Sequence, residues 1–184
     1  MKQSIGRSVL KLLKWSIIGD IPTIDKAVLP IAPHTSERDW LYLLMAGWAI
    51  GRGFRYMVRD DVWASYRRLV LQPTGAFPLK PSESMVETSV RYLTTADEML
   101  LAISPEGALR RMDAWRTGFY YIAHRADVPL VPIGLDYARQ AVVIGTALHP
   151  SGDIHADVAQ LASFYADIQG RHPEQVGPVR VDAP

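Results

Sequence analysis

Apolar residues recur along this chain in two modes, short unbroken runs and longer stretches spaced at three and four residues. Unbroken runs bounded by proline, glycine or charge are the pattern of strands buried on both faces, and they predict strands over 27–32, 54–58, 100–104, 128–137 and 141–146. Helical spacing predicts helices over 39–50, near 62–71, and over about 84–95, 114–126 and 154–168, with a short extended piece at Phe77. Strands alternating with helices predict an α/β fold: a single domain whose mostly parallel sheet is covered by helices.

The first twenty residues follow a different pattern. Lys2, Arg7, Lys11 and Lys14 precede any acid, and on a helical wheel Ile5, Val9, Leu10, Leu12, Leu13 and Ile17 face away from Arg7, Lys11 and Lys14. That is a basic amphipathic helix, suited either to a membrane interface or to docking on the domain. It is too short and too charged to span a bilayer, and its lysines and lack of a small-residue cleavage site do not suit a signal peptide. The chain therefore divides into an N-terminal helix over 1–20, a domain over 21–170 and a polar, proline-containing segment over 171–184 expected to be a flexible tail.

Composition agrees with one packed domain. A chain of 184 residues with 48% hydrophobic content can bury a substantial core. A net charge of +1 gives no case for nucleic acid as a partner. The absence of cysteine excludes disulfides, thiol nucleophiles and thiolate metal sites. His149, His155 and His172 lack metal-ligand spacing, so no metal site is expected.

Two segments carry candidate chemistry. His34 and Asp39 stand just ahead of an apolar helical run, and Ser104-Pro105-Glu106-Gly107 follows a buried strand, where open α/β sheets bind ligands. A hydroxyl becomes a useful nucleophile at neutral pH only beside a base, for which histidine is suited, and a carboxylate can fix its tautomer and stabilise the imidazolium. Ser36-x-x-Asp39 also matches a capping box, in which the acid serves only a backbone N–H. Both readings stand at this level. Trp40, Trp48, Trp63 and Trp115 suit either a core or the wall of an apolar groove. No Gly-x-Ser-x-Gly turn supports a serine hydrolase.

From about Ala27 to about Phe164 the chain resembles the glycerolphosphate and lysophosphatidic acid acyltransferases. Pro33-His34 through Asp39 resembles their His-x4-Asp motif, Gly75-Ala76-Phe77-Pro78 their third block, Pro105-Glu106-Gly107 their Pro-Glu-Gly block, and Val128-Pro129-Leu130-Val131-Pro132 their last block. The resemblance implies that His34 is the general base on an acceptor hydroxyl, that Asp39 orients it, and that acyl-CoA or acyl carrier protein is the donor co-substrate with no cofactor. It assigns Glu106 and Gly107 to acceptor binding, with Phe77 in the neighbouring block. A lipid acceptor, a membrane surface as partner and a cytoplasmic, peripheral membrane location follow from the same resemblance.

Two departures concern the acceptor. The family commonly continues its Pro-Glu-Gly block as Thr-Arg-Ser, whereas this chain has Ala108-Leu109-Arg110, and Lys80-Pro81 stand where an arginine usually follows the third block. Either Arg110, Arg111 and Lys80 take over contact with an acceptor phosphate, or the acceptor carries none. An alternative from another class is a lipid- or acyl-CoA-binding protein on the same fold without turnover.

Overall fold

The computed structural model describes residues 1–64 and 68–182, the side chains of Arg59 and Val62 excepted. Its strands are β1 (Ser16–Ile18), β2 (Lys26–Ala32), β3 (Phe54–Arg59), β4 (Ala76–Leu79), β5 (Met99–Ile103), β6 (Ile133–Asp136) and β7 (Ala141–Ile144). They form one sheet in the order β1-β7-β6-β2-β5-β3-β4. Pairing is parallel except between β6 and β7, so β1 and β7 run against the other five strands.

The apolar runs become strands because helices cover both faces. Along β2, Val28 and Ala32 join a core with residues of α5 (Met85–Thr95), α6 (Gly118–Ala126) and α7 (Ile154–Tyr165), including Leu93, Phe119, Ile122 and Leu161. Ala27, Leu29 and Ile31 join the opposite core with Leu10 of α1 (Lys2–Leu12) and Leu44, Met45 and Ala49 of α2 (Asp39–Ile50). This is the two-residue alternation of a pleated strand with both sides apolar.

The N-terminal helix docks on α2. A Cβ at Gly6 would stand 2.6 Å from both the Met45 carbonyl oxygen and the Ala49 backbone nitrogen, so only glycine permits this approach. Leu10 is buried in the same contact, while Leu12 points outward at 81% exposure. Among the described residues, no helix is long and apolar enough to cross a membrane.

Several boundaries differ from the sequence expectation, each for a local reason. Residues 16–18 form β1 where helix was expected, paired with β7. The expected strand over 128–137 narrows to β6 with isolated bridges from Leu130 to Val28 and to Leu148, because Pro129 and Pro132 have no N–H to give a ladder. The helix expected from Ala114 starts at Gly118, since Trp115 and Arg116 use their N–H groups on the Arg180 and Pro105 carbonyls. The helix expected over 62–71 appears as α3 (Asp60–Trp63) and α4 (Arg68–Leu71), and its middle, 65–67, lies outside the described residues.

The segment after Arg171, expected to be loose, is fastened to the domain as far as it is described. Val181 is buried, the Arg180 carbonyl accepts from Trp115, and Arg180 Nε donates to the Asp113 carbonyl at 2.9 Å. Its prolines and polar residues suggested a free tail, but the backbone satisfies groups of the 111–117 loop that have no ladder of their own.

Candidate active site

Strands β2 and β5 lie side by side and parallel, with Pro30 opposite Ile103, so the loops that follow them leave the same edge of the sheet. One is 33–38, leading into α2, and the other begins at Ser104. Residues at the carboxyl ends of adjacent parallel strands converge in this way in open α/β sheets.

Asp39 is the hub of the first loop. It is 1% exposed, and its Oδ2 accepts from the Thr35 and Ser36 backbone N–H groups, both at 3.0 Å, and contacts His34 Nδ1 at 3.0 Å. Tyr137, just past β6, donates its hydroxyl to Asp39 Oδ1 at 2.5 Å. An ionised carboxylate accepts only, so it matches this ring of donors. The hydrogen shared with the imidazole then sits on Nδ1, which leaves His34 Nε2 with its lone pair. The same oxygen meets His34 and the Ser36 backbone N–H, while the helix itself starts from Arg38 with no side-chain cap, so Ser36 is not the N-cap that a capping box requires.

The second loop reaches the first through Glu106. Its Oε2 accepts the His34 backbone N–H at 2.6 Å, across 72 residues of sequence. The carboxyl is buried, which raises its pKa above the ordinary 4.5, while the His34 N–H partly opposes the rise. Gly107 turns the chain at φ +66°, and its N–H donates to the Ser104 carbonyl at 3.2 Å.

A cavity of about 200 Å³ opens between the loops, lined by His34, Asp39, Trp40, Tyr56, Ser104 and apolar residues from β2, β3, β5 and β6. At about 30 Å³ per water it has room for reacting groups and their near neighbours, not for a whole long acyl chain. The hydroxyl of Ser104 is buried and has no hydrogen-bond partner among the described residues. Tyr56 shares a hydrogen bond of 2.7 Å with Thr74, and burial raises its phenol pKa.

The remaining candidate residues are not gathered here. Phe77 is a core residue at 4% exposure, with its ring 4.9 Å from that of Tyr92, and it does not line the cavity. Lys80 is exposed in a separate cleft with Asp60, Asp61 and Glu83. Arg110 is exposed, and Arg111 spends a guanidinium N–H on the Val176 carbonyl. The guanidinium beside the Pro-Glu-Gly turn belongs to Arg116, whose Nε lies 2.8 Å from where a Gly107 Cβ would stand. Of the tryptophans weighed above, Trp40 lines the cavity and Trp115 is in the core.

Reading the sequence missed Tyr137, Ser104 and Arg116. Ser104 sat within a quoted motif, but nothing local marks a tyrosine 98 residues from its carboxylate partner or an arginine that folds back over the turn.

Comparison with known proteins gives the geometry a family. The chain has the fold of the 1-acyl-sn-glycerophosphate (LPA) acyltransferase PlsC from Thermotoga maritima, with a TM-score of 0.61 at 12% identity over 87% of this chain and 73% of that one. No curated protein sequence matches. The family model described as Acyltransferase matches residues 15–136, a span that begins before β1 and ends with β6, and so the chain belongs to the acyltransferase family.

Proposed function

We propose that this acyltransferase moves a fatty acyl group from an acyl-CoA or acyl carrier protein thioester to a hydroxyl of a lipid-type acceptor, with His34 as general base. The observation that carries this reading is the 3.0 Å contact of His34 Nδ1 with the buried Asp39 carboxylate at the wall of a cavity. It leaves Nε2 to take the proton.

The acceptor O–H gives its proton to His34 Nε2 as the oxygen attacks the thioester carbonyl carbon. The carbon–oxygen bond forms and the carbonyl π pair moves onto oxygen. Collapse then breaks the carbon–sulfur bond, and the departing thiolate takes the proton from the imidazolium. Asp39 holds the ring and stabilises its charged form. Proton removal at this level contributes on the order of a hundredfold to ten-thousandfold, and alignment of the two substrates adds to it.

Glu106 and Gly107 shape the acceptor side. Arg116 stands beside the Gly107 turn, and although it lines a neighbouring cleft with Gly118, His155 and Asp182 and not the His34 cavity, it is the cation that we assign to the part first given to Arg110, Arg111 and Lys80. An exposed cation there favours a phosphorylated acceptor, and 1-acylglycerol-3-phosphate, the acyl acceptor that the name of the structural relative indicates for that protein, is the first to test. Exposed Met1, Ile5 and Leu12 beside exposed Lys2 and Lys11 on α1 suit peripheral contact with the cytoplasmic face of a membrane.

The test is ester formation followed by mass spectrometry, crossing acyl-CoA and acyl carrier protein donors with phosphorylated and unphosphorylated hydroxyl acceptors. Acceptor-dependent ester, favouring the phosphorylated lipid, is expected. Hydrolysis alone with every acceptor would overturn the reading.

A further inference from the structure

Tyr137 stands outside every motif that carried the functional reading, yet its hydroxyl is the sole side-chain donor to Asp39 besides His34 among the described contacts. We infer that Tyr137 is a positioning residue of the acyl transfer, acting through Asp39 to set the orientation and proton affinity of His34. The inference rests on the proposed role of His34 as base.

Three observations support it. First, the contact is short, at 2.5 Å, and it lands on Oδ1, the oxygen that neither His34 nor the loop backbone uses. The carboxylate is thus pinned at both oxygens, and its plane cannot turn without losing one set of bonds. Second, Tyr137 is itself fixed. Its N–H donates to the Gln169 carbonyl at 2.8 Å, and its ring meets Trp15 edge-on at 5.0 Å and Tyr42 edge-on at 5.8 Å, while Trp15 stacks on Tyr42 at 3.7 Å. Third, the phenol remains a donor throughout the working range, because burial and the adjacent Asp39 carboxylate push its pKa well above the ordinary value.

The titratable groups around this contact come from every packed element. Asp39 and Tyr42 face Tyr137 from α2, and Arg171 faces it from beyond α7. Glu106 faces both His34 and Asp39 from the second loop. His172, whose backbone N–H donates to Thr35, turns its ring to Glu174 at 3.6 Å. Of these, only Tyr137 donates to Asp39 Oδ1.

A hydrogen bond to Oδ1 draws charge from the carboxylate and so weakens its hold on the imidazolium. Removing the bond strengthens that hold, and His34 then keeps its proton to higher pH. Tyr137→Phe is expected to lower kcat about tenfold with KM for the donor within about twofold, and to move the acidic limb of kcat/KM upward by about half a pH unit. Installing 3-fluorotyrosine at position 137 makes the phenol a stronger donor and is expected to move the limb the other way while keeping kcat.

The His34 ring titration, followed by NMR on labelled protein without substrate, reads the same link independently of turnover. If Tyr137→Phe fails to fold, the fluorotyrosine protein decides. Unchanged limb and unchanged His34 titration in both proteins, or a lower Tm alone, would overturn the inference and leave Tyr137 a structural residue. Should His34→Ala retain full turnover while the His34 titration still moves with the substituent at 137, the base assignment fails and the Tyr137–Asp39–His34 link stands.

Discussion

The loop over 33–38 and the loop that begins at Ser104 leave neighbouring strands at the same edge of the sheet, yet they are secured in opposite ways. The first is bound from within: Thr35 is 4% exposed, and two of its backbone N–H groups converge with two side chains on Asp39. The second is bound to the first through one carboxylate oxygen of Glu106, and past Gly107 its arginines stand at the surface. The contacts of the first loop are fixed by the fold, whereas the second carries exposed cations that can be exchanged without dismantling the core.

That contrast predicts effects of different kind as well as size. Asp39→Asn removes the charge that four donors share and favours the wrong imidazole tautomer. A fall in kcat on the order of 10³ to 10⁴ is expected in steady-state assays, together with a lower Tm. A loss below tenfold would show that Asp39 serves the helix start more than the base.

Arg116→Ala should act on the other side. The expected result is about a tenfold rise in KM for a phosphorylated acceptor, with kcat within about twofold and unchanged Tm. Equal KM values for wild type and variant would return acceptor binding to Arg110 or Lys80, which the same assay can examine.

Glu106→Gln joins the two loops and gives the smallest effect. Burial raises the folded pKa of this carboxyl above its ordinary 4.5. The folded state therefore holds the proton more tightly than the unfolded chain. That contribution is fully present below about pH 4.5 and is lost as pH rises through the folded value. The variant does not titrate there, so its Tm relative to wild type should rise between pH 4 and pH 7 in thermal melts. A difference independent of pH would mean that Glu106 does not carry the buried charge.

The sequence disclosed the first loop far better than the second, and the reason is distance along the chain. His34, Ser36 and Asp39 lie within one turn and its approach, so their spacing already contained both the dyad and the helix start. The central strands were likewise legible because β2 and β5 are apolar on both faces, a pattern that needs no knowledge of their partners. Tyr137 lies 98 residues from Asp39, and Arg116 reaches back to Gly107 across an irregular loop, and local periodicity carries no trace of either pairing. The 171–182 segment looked loose for a related cause: its partners at 111–115, the Arg111 guanidinium, the Asp113 carbonyl and the Trp115 N–H, lie some sixty residues away and leave no mark in composition.

The most direct test of the central claim is acceptor-dependent ester formation by His34→Ala beside wild type, with matched Tm as the control for folding. A loss on the order of a hundredfold to ten-thousandfold with acceptor present is predicted for a general base. Turnover within a fewfold of wild type would contradict it, and with it the assignment of this cavity as the place where the acyl group is transferred.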